Sequence, residues 1–338
     1  MRKRGFKPAG VRHRRFIRGG ILCAGICICL SSSFFLSGCG RGNHLEKAYS
    51  FSERADSFSF SGNISQAPLF ASNLCVVTGD TPEDPAVTAE AGALFNVTDR
   101  AVLYSKNAFE RLYPASTTKI MTALIAIEEG NLSDTVVVTD AAVITEAGAS
   151  LCGIKPGDQI TLEQLLYGLM MPSGNDAANA IAVHMSGSVE AFAERMNARA
   201  AALGATGTHF TNPSGLNNEN HYTTAYDLYL MFNEAMKLPL FREIIGAQSY
   251  TANYTDRTGA AVSKTWTVGN WYQKGDREAP AGVTVLGGKT GTTQAAGYCL
   301  IMADADDSGR QYVSVVMKAS SRPDLYDNMT NIISKIVN

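Results

Sequence analysis

Tyr113-Pro114-Ala115-Ser116-Thr117-Thr118-Lys119-Ile120 sets a hydroxyl and an amine three residues apart, just after a proline and where an apolar run begins (Ile120, Met121, Leu124, Ile125, Ile127). The run has helical spacing. Positions i and i+3 of a helix share a face, so the Lys119 amine can stand over the Ser116 oxygen near the helix N-terminus. A serine hydroxyl barely ionises at neutral pH and needs an adjacent base, and a lysine serves as that base only where its surroundings depress its pKa. Alone, Ser-x-x-Lys is a frequent chance pattern that usually marks a helix start with a solvated lysine.

Two further motifs change that reading. Ser173-Gly174-Asn175 follows Leu-Met-Met-Pro, and Lys289-Thr290-Gly291 follows the strand-like Val283-Thr284-Val285-Leu286-Gly287-Gly288. Hydroxyl, amide and amine groups thus come from three segments in the order Ser-x-x-Lys, Ser-x-Asn, Lys-Thr-Gly, which resembles the penicillin-recognising serine acyltransferases, the group of penicillin-binding proteins and class A β-lactamases. Phe210-Thr211-Asn212-Pro213-Ser214-Gly215-Leu216, His221 to Asp227, and Ala296 to Leu300 narrow the match. With Leu112 to Lys119 and Ser173 to Ala177, they resemble blocks of the low-molecular-weight D-alanyl-D-alanine carboxypeptidases. The resemblance runs from about Ala91 to the C-terminus.

The resemblance implies Ser116 as nucleophile and Lys119 as its base. Burial and a second cation, Lys289, would both lower the Lys119 pKa. Ser173 is expected to bridge Lys119 and the leaving nitrogen, and Asn175 to orient Lys119 and hold a substrate amide oxygen. Lys289, Thr290 and Thr292 are expected to receive a substrate carboxylate, with Gly291 leaving room for the substrate backbone. The backbone amides of Ser116 and Thr292 are the expected oxyanion donors. The implied substrate is the D-Ala-D-Ala end of a peptidoglycan stem peptide, with β-lactam antibiotics as inhibitors and no metal or organic cofactor. A β-lactamase of class A would carry a Glu followed four residues later by Asn between the second and third motifs, and no such pair occurs there. Endopeptidase activity uses the same acylation chemistry. A noncatalytic cell-wall-peptide-binding lipoprotein is the reading from another class, opposed by retention of all three motifs together.

The first thirty-eight residues hold eight basic side chains and no acidic one, with an apolar stretch from Ile21 to Leu36. This reads as a secretory signal. A transmembrane anchor is the alternative, but the stretch is short and interrupted by Ser31, Ser32 and Ser33, against about twenty apolar residues needed to span a bilayer. Leu36-Ser37-Gly38-Cys39 looks like a lipobox, with cleavage before Cys39 and acylation of its thiol. Without the leader, 21 of the chain's 29 basic residues face 31 acidic ones, a net charge of −10, which argues against nucleic acid as a partner. The expected location is the outer face of the bacterial membrane, held by the lipid. Of the seven cysteines, Cys75, Cys152 and Cys299 lie beyond the lipobox and show no disulfide framework or metal spacing. Cys152 and Cys299 read as packing residues. His184, His209 and His221 are scattered: the first two read as structural, His221 lies in a block of the resemblance and is expected to order a loop, and none is spaced as a base.

The organisation expected is a signal at 1–38, a lipidated N-terminus and flexible tether at 39–85, and the enzymatic domain at 86–338. Gly92–Val97 and Ala101–Tyr104 read as a hairpin. Helical spacing marks Ile120–Glu129, Leu162–Met170, Asn175–Met185, Val189–Leu203 and Thr224–Met236. Strands return at Val283–Leu286, Tyr298–Ala303 and Tyr312–Lys318. An amphipathic helix follows, with Leu325, Met329, Ile332, Ile333 and Ile336 on one face. The fold class is α/β, β-lactamase/transpeptidase-like: an antiparallel sheet of about five strands, built from both chain ends and flanked by helices, with a mostly helical lobe inserted.

Overall fold

Ala91 to Asn96 is buried at every position, so this strand is covered on both faces. The computed structural model, which describes residues 73–337, shows the covering layers. In chain order the elements are β1 (Ala91–Asn96), β2 (Ala101–Lys106), α1 (Lys119–Glu129), β3 (Thr135–Val137), β4 (Gln159–Thr161), α2 (Leu162–Met170), α3 (Asn175–Ser186) and α4 (Val189–Ala202). They continue with α5 (Ala225–Ala235), α6 (Pro239–Gly246), β5 (Ser249–Thr255), β6 (Ala261–Thr267), β7 (Val283–Thr293), β8 (Gly297–Asp306), β9 (Gln311–Ala319) and α7 (Arg322–Ile333).

Five antiparallel strands form the main sheet in the order β2-β1-β9-β8-β7, which brings the two chain ends side by side and leaves β7 at an edge. The near-continuous apolar run of β8 feeds two cores. Cys299, Ile301 and Ala303 face the helical lobe with Ile120, Leu124, Phe232 and Phe241. Leu300 and Met302 face α7, where Leu325, Met329, Ile332 and Ile333 are buried against Leu94 and Val316. Each such fully buried aliphatic side chain contributes about 1.5–3 kcal/mol. The terminal amphipathic helix therefore packs on the sheet, as its pattern predicts.

Helix starts follow local chemistry. Thr224 is the N-cap of α5 rather than its first residue, its hydroxyl accepting from Asp227 N–H at 3.0 Å. At α2, Thr161 and Gln164 form a reciprocal capping box.

Three features depart from the sequence reading. A second antiparallel sheet, β3-β4-β5-β6, flanks the lobe. Strands β5 and β6 present mostly polar, exposed faces and bury only Ala252, Tyr254 and Trp266, so they carry little hydrophobic periodicity. Helix α6, with Pro239 at its start, buries Phe241, Ile244 and Ile245 in too short a span for its period to stand out. Residues 73–85, assigned to the tether, join the fold at both ends, with Thr81 N–H donating to the Ser105 carbonyl at 2.9 Å and Asp84 paired with Lys335. Cys75 is fully buried, its N–H donates to Tyr229 Oη at 2.9 Å, and its carbonyl accepts from Tyr226 Oη at 2.9 Å. The signal segment, Cys39 and the rest of the tether lie outside the described residues. Among the described residues no helix is long and apolar enough to cross a membrane. Cys75, Cys152 and Cys299 are all buried free thiols.

Candidate active site

Edge strand β7 passes the start of α1, and there the three motifs meet. Ala115–Thr118 makes a 3-10 turn that runs directly into α1 at Lys119. The Lys119 amine, fully buried, lies 3.0 Å from Ser116 Oγ, 2.7 Å from Asn175 Oδ1 and 2.6 Å from the Ser214 carbonyl oxygen. Burial pushes its pKa well below the usual lysine value, the Lys289 cation adds to this, and Asp176 opposes it. A neutral amine can accept a proton, so this lysine has the environment a serine's base requires.

The carbonyl that holds Lys119 is itself fixed. Asn212 Oδ1 accepts from the N–H groups of Ser214 at 3.1 Å and Gly215 at 2.8 Å. Gly215 has φ +86°, and a Cβ there would fall 1.8 Å from the Ala115 carbonyl oxygen, so no other residue fits. His221 Nδ1 accepts from Thr211 N–H at 3.1 Å, which places its proton on Nε2, 2.8 Å from Thr118 Oγ1. Burial first, then His209 and Lys119, lower its pKa to about 3, so it braces the turn as a neutral ring. Of these positioning residues only His221 carried a role from the sequence, that of ordering its loop. Asn212-Pro213-Ser214-Gly215, an Asx-turn composition, was the available signal.

The second motif is anchored through its neighbour, also missed. Asp176 is buried, and its carboxylate accepts from the N–H groups of Cys152 (2.8 Å), Gly153 (2.6 Å) and Ile154 (3.2 Å). Ser173 sits in the left-handed region at φ 62°. Its hydroxyl is bonded by Lys289 Nζ at 3.0 Å, whereas the sequence reading paired it with Lys119. Lys289 Nζ also donates to the Thr290 carbonyl at 2.8 Å, and burial lowers its pKa to about 7. Gly291 has a reason besides the one expected. A Cβ there would lie 2.8 Å from the Pro114 carbonyl oxygen and 2.9 Å from Ser116 N, so its lack of a side chain admits the turn that carries Ser116.

Two cavities adjoin these groups and share Ser150 and Thr292 in their walls. One, of about 430 Å³, contains Ser116, Asn175 and Glu146. The other, of about 480 Å³, contains Ser173, Thr290, Lys274 and Arg322. A larger cavity of about 920 Å³, near Lys155 and Arg257, holds none of the motif residues, so size does not mark the site. Among the described residues no His/Cys/Asp/Glu group is arranged to hold a metal ion.

A serine beside a buried lysine of depressed pKa, met by a second buried lysine on the edge of an antiparallel sheet, is the construction of the penicillin-recognising serine acyl enzymes. Comparison with known proteins narrows the class. Residues 78–321 match the family model described as D-alanyl-D-alanine carboxypeptidase. The carboxypeptidase DacF of Bacillus subtilis is 34% identical over 259 residues, covering 75% of this chain, which spans 64% of that relative's length. The D-alanyl-D-alanine carboxypeptidase of Streptomyces sp. strain K15 is 34% identical over 284 residues, 79% of this chain and 94% of the relative. The crystal structure of the Streptomyces K15 DD-transpeptidase superposes with a TM-score of 0.69 at 32% identity, covering 75% of this chain and 98% of that one. The D-alanyl-D-alanine carboxypeptidase structure from Mycobacterium tuberculosis gives 0.66 at 32% identity, covering 77% and 96%. The chain belongs to the D-alanyl-D-alanine carboxypeptidase family, peptidase family S11.

Proposed function

We propose that the protein is a serine-type D-alanyl-D-alanine carboxypeptidase that removes the terminal D-Ala from peptidoglycan stem pentapeptides. The observation that carries this reading is the 3.0 Å contact between Lys119 Nζ and Ser116 Oγ inside a fully buried setting. Ser116 Oγ gives its proton to Lys119 and attacks the penultimate carbonyl carbon. The developing oxyanion is met by the backbone N–H groups of Ser116 and Thr292. The carbon–nitrogen bond then breaks, and the leaving amine takes the proton held by Lys119, relayed through the Ser173 hydroxyl, which Lys289 orients, so that Lys119 is neutral again. Water attacks the acyl ester carbonyl as Lys119 takes its proton, the bond to Ser116 Oγ breaks with that proton returning to Ser116, and the shortened peptide leaves. Asn175 holds Lys119 in register throughout.

The substrate carboxylate is received by Lys289, Thr290 and Thr292. Arg322 lines the same cavity as the two threonines and offers that carboxylate a bidentate partner. The protein acts outside the cytoplasm, anchored through lipid on Cys39 after removal of residues 1–38, with a tether carrying the enzymatic domain clear of the bilayer. The rival β-lactamase reading lacks its water-activating Glu/Asn pair between Ser173 and Lys289. The test is incubation with a pentapeptide ending in D-Ala-D-Ala, with D-Ala release as the expected result. In parallel, intact-mass and peptide analysis after β-lactam treatment should place one adduct on Ser116. A folded sample that forms no adduct and releases no D-Ala overturns the assignment.

A further inference from the structure

The two cavities beside Ser116 carry opposite charge. Arg322 and Lys274, the latter paired with Asp276, line the one that holds Thr290. In the one that holds Ser116 and Asn175, Glu146 is the single charged side chain, among neutral neighbours that include Asn217, Leu216 and Gln294. Glu146 forms no ion pair among the described residues, so nothing there offsets its charge.

The loop bearing Glu146 is pinned at both ends to the second-motif helix. Asn179 Nδ2 donates to the Ala141 carbonyl at 2.8 Å, and Asn175 N–H donates to the Ser150 carbonyl at 2.9 Å. The Asp176 carboxylate holds Cys152 to Ile154 immediately beyond. Position 146 is therefore tied to the segment that supplies Asn175.

A peptide with its terminal carboxylate in the cationic cavity and its scissile carbonyl at Ser116 must run its acyl portion through the Glu146 cavity. We propose that Glu146 is a specificity-determining residue, favouring stem peptides whose third residue carries a free side-chain ammonium; this rests on the carboxypeptidase reading above. Acylation of that amine, as in a crosslink formed through it, removes the charge. The site therefore separates stems with a free amine from stems already joined at that position, and the carboxypeptidase acts chiefly before crosslinking.

The experiment compares kcat/KM for D-Ala release from three pentapeptides that differ only at the third residue: lysine, Nε-acetyl-lysine and norleucine. The wild-type protein should prefer lysine by about fivefold to tenfold, with the preference shrinking as salt is raised. In Glu146→Gln the lysine/acetyl-lysine ratio should fall towards one, and in Glu146→Lys it should invert. Equal rates for lysine and acetyl-lysine in the wild type, or an unchanged ratio in Glu146→Gln, overturn this inference while leaving the carboxypeptidase assignment standing. No D-Ala release from any of the three peptides removes that assignment and this inference together.

Discussion

The Lys289 amine donates to the Ser173 hydroxyl at 3.0 Å, and this bond ties the edge strand of the main sheet to the loop before α3. Lys119, in contrast, is bonded to Ser116, Asn175 and the Ser214 carbonyl. The two buried lysines thus serve different oxygens, and substitutions should separate them.

Lys119→Arg should lower the rate of β-lactam acylation at Ser116 by about 10² to 10⁴-fold, the usual contribution of a general base, because a guanidinium does not deprotonate in proteins. Lys289→Arg should retain measurable acylation, since its charge persists. Time-resolved intact-mass analysis of both variants checks the division of roles, and equal losses would refute it.

The pH profile should report Lys289. Burial lowers its pKa from 10.5 to about 7, so its positive charge is present below that value and is lost as pH rises through it. KM for a peptide with a free terminal carboxylate should therefore rise on the alkaline side of neutrality in the wild type and stay flatter in Lys289→Arg. A wild-type profile with no alkaline rise in KM counts against a carboxylate-binding role for Lys289.

Gly291→Ala should impair acylation more than folding. The added Cβ meets backbone atoms of Pro114 and Ser116 at 2.8 and 2.9 Å, neither of which can rotate away. The turn carrying Ser116 must shift, costing about 1–3 kcal/mol of stability as overpacking does. Acylation should drop by more than tenfold while a cooperative thermal transition persists. Wild-type acylation in this variant would show that the turn tolerates displacement.

A second titration concerns stability alone. Asp304, fully buried on β8, accepts from Ser314 Oγ at 2.6 Å through one oxygen, while the other has no partner among the described residues. Burial raises its pKa from 3.8 to about 7. The folded state therefore holds a proton that the unfolded chain has released between those values. The cost of folding is absent below the unfolded pKa, grows as pH rises to about 7, and is constant above it. Asp304→Asn should gain about 2–4 kcal/mol relative to wild type at pH 8 compared with pH 4, on the scale of 1.36 kcal/mol per pKa unit. Urea unfolding at the two pH values measures it, and a pH-independent difference would contradict the titration.

Cys39→Ala should block processing, leaving a larger precursor held in the membrane by its uncleaved leader. Two acyl chains bind a bilayer stably at about 0.8 kcal/mol per buried methylene. A chain beginning at Gly40 behind an ordinary secretory signal should be released in soluble, penicillin-binding form. Normal cleavage and wild-type fractionation of Cys39→Ala would instead favour an uncleaved anchor.

The sequence alone determined the five-stranded sheet, the inserted helical lobe and the motif residues. Alternation and helical spacing mark elements with one strongly apolar face, and Ser116, Lys119, Ser173, Asn175 and Lys289 to Thr292 sit in short local patterns. Only the tertiary structure decided the second sheet, because β5 and β6 hold their places by backbone pairing with few buried side chains. It also gave Ser173 to Lys289 rather than Lys119, and gave Gly291 its role beside the Ser116 turn. Asn212 and Asp176 act by bracing backbone groups, so nothing in their spacing announces them. Which oxygen a buried amine meets depends on distances between segments far apart in the chain, 116 residues for Lys289 and Ser173. Local sequence governs φ, ψ and the facing of each element, and packing alone fixes what stands opposite.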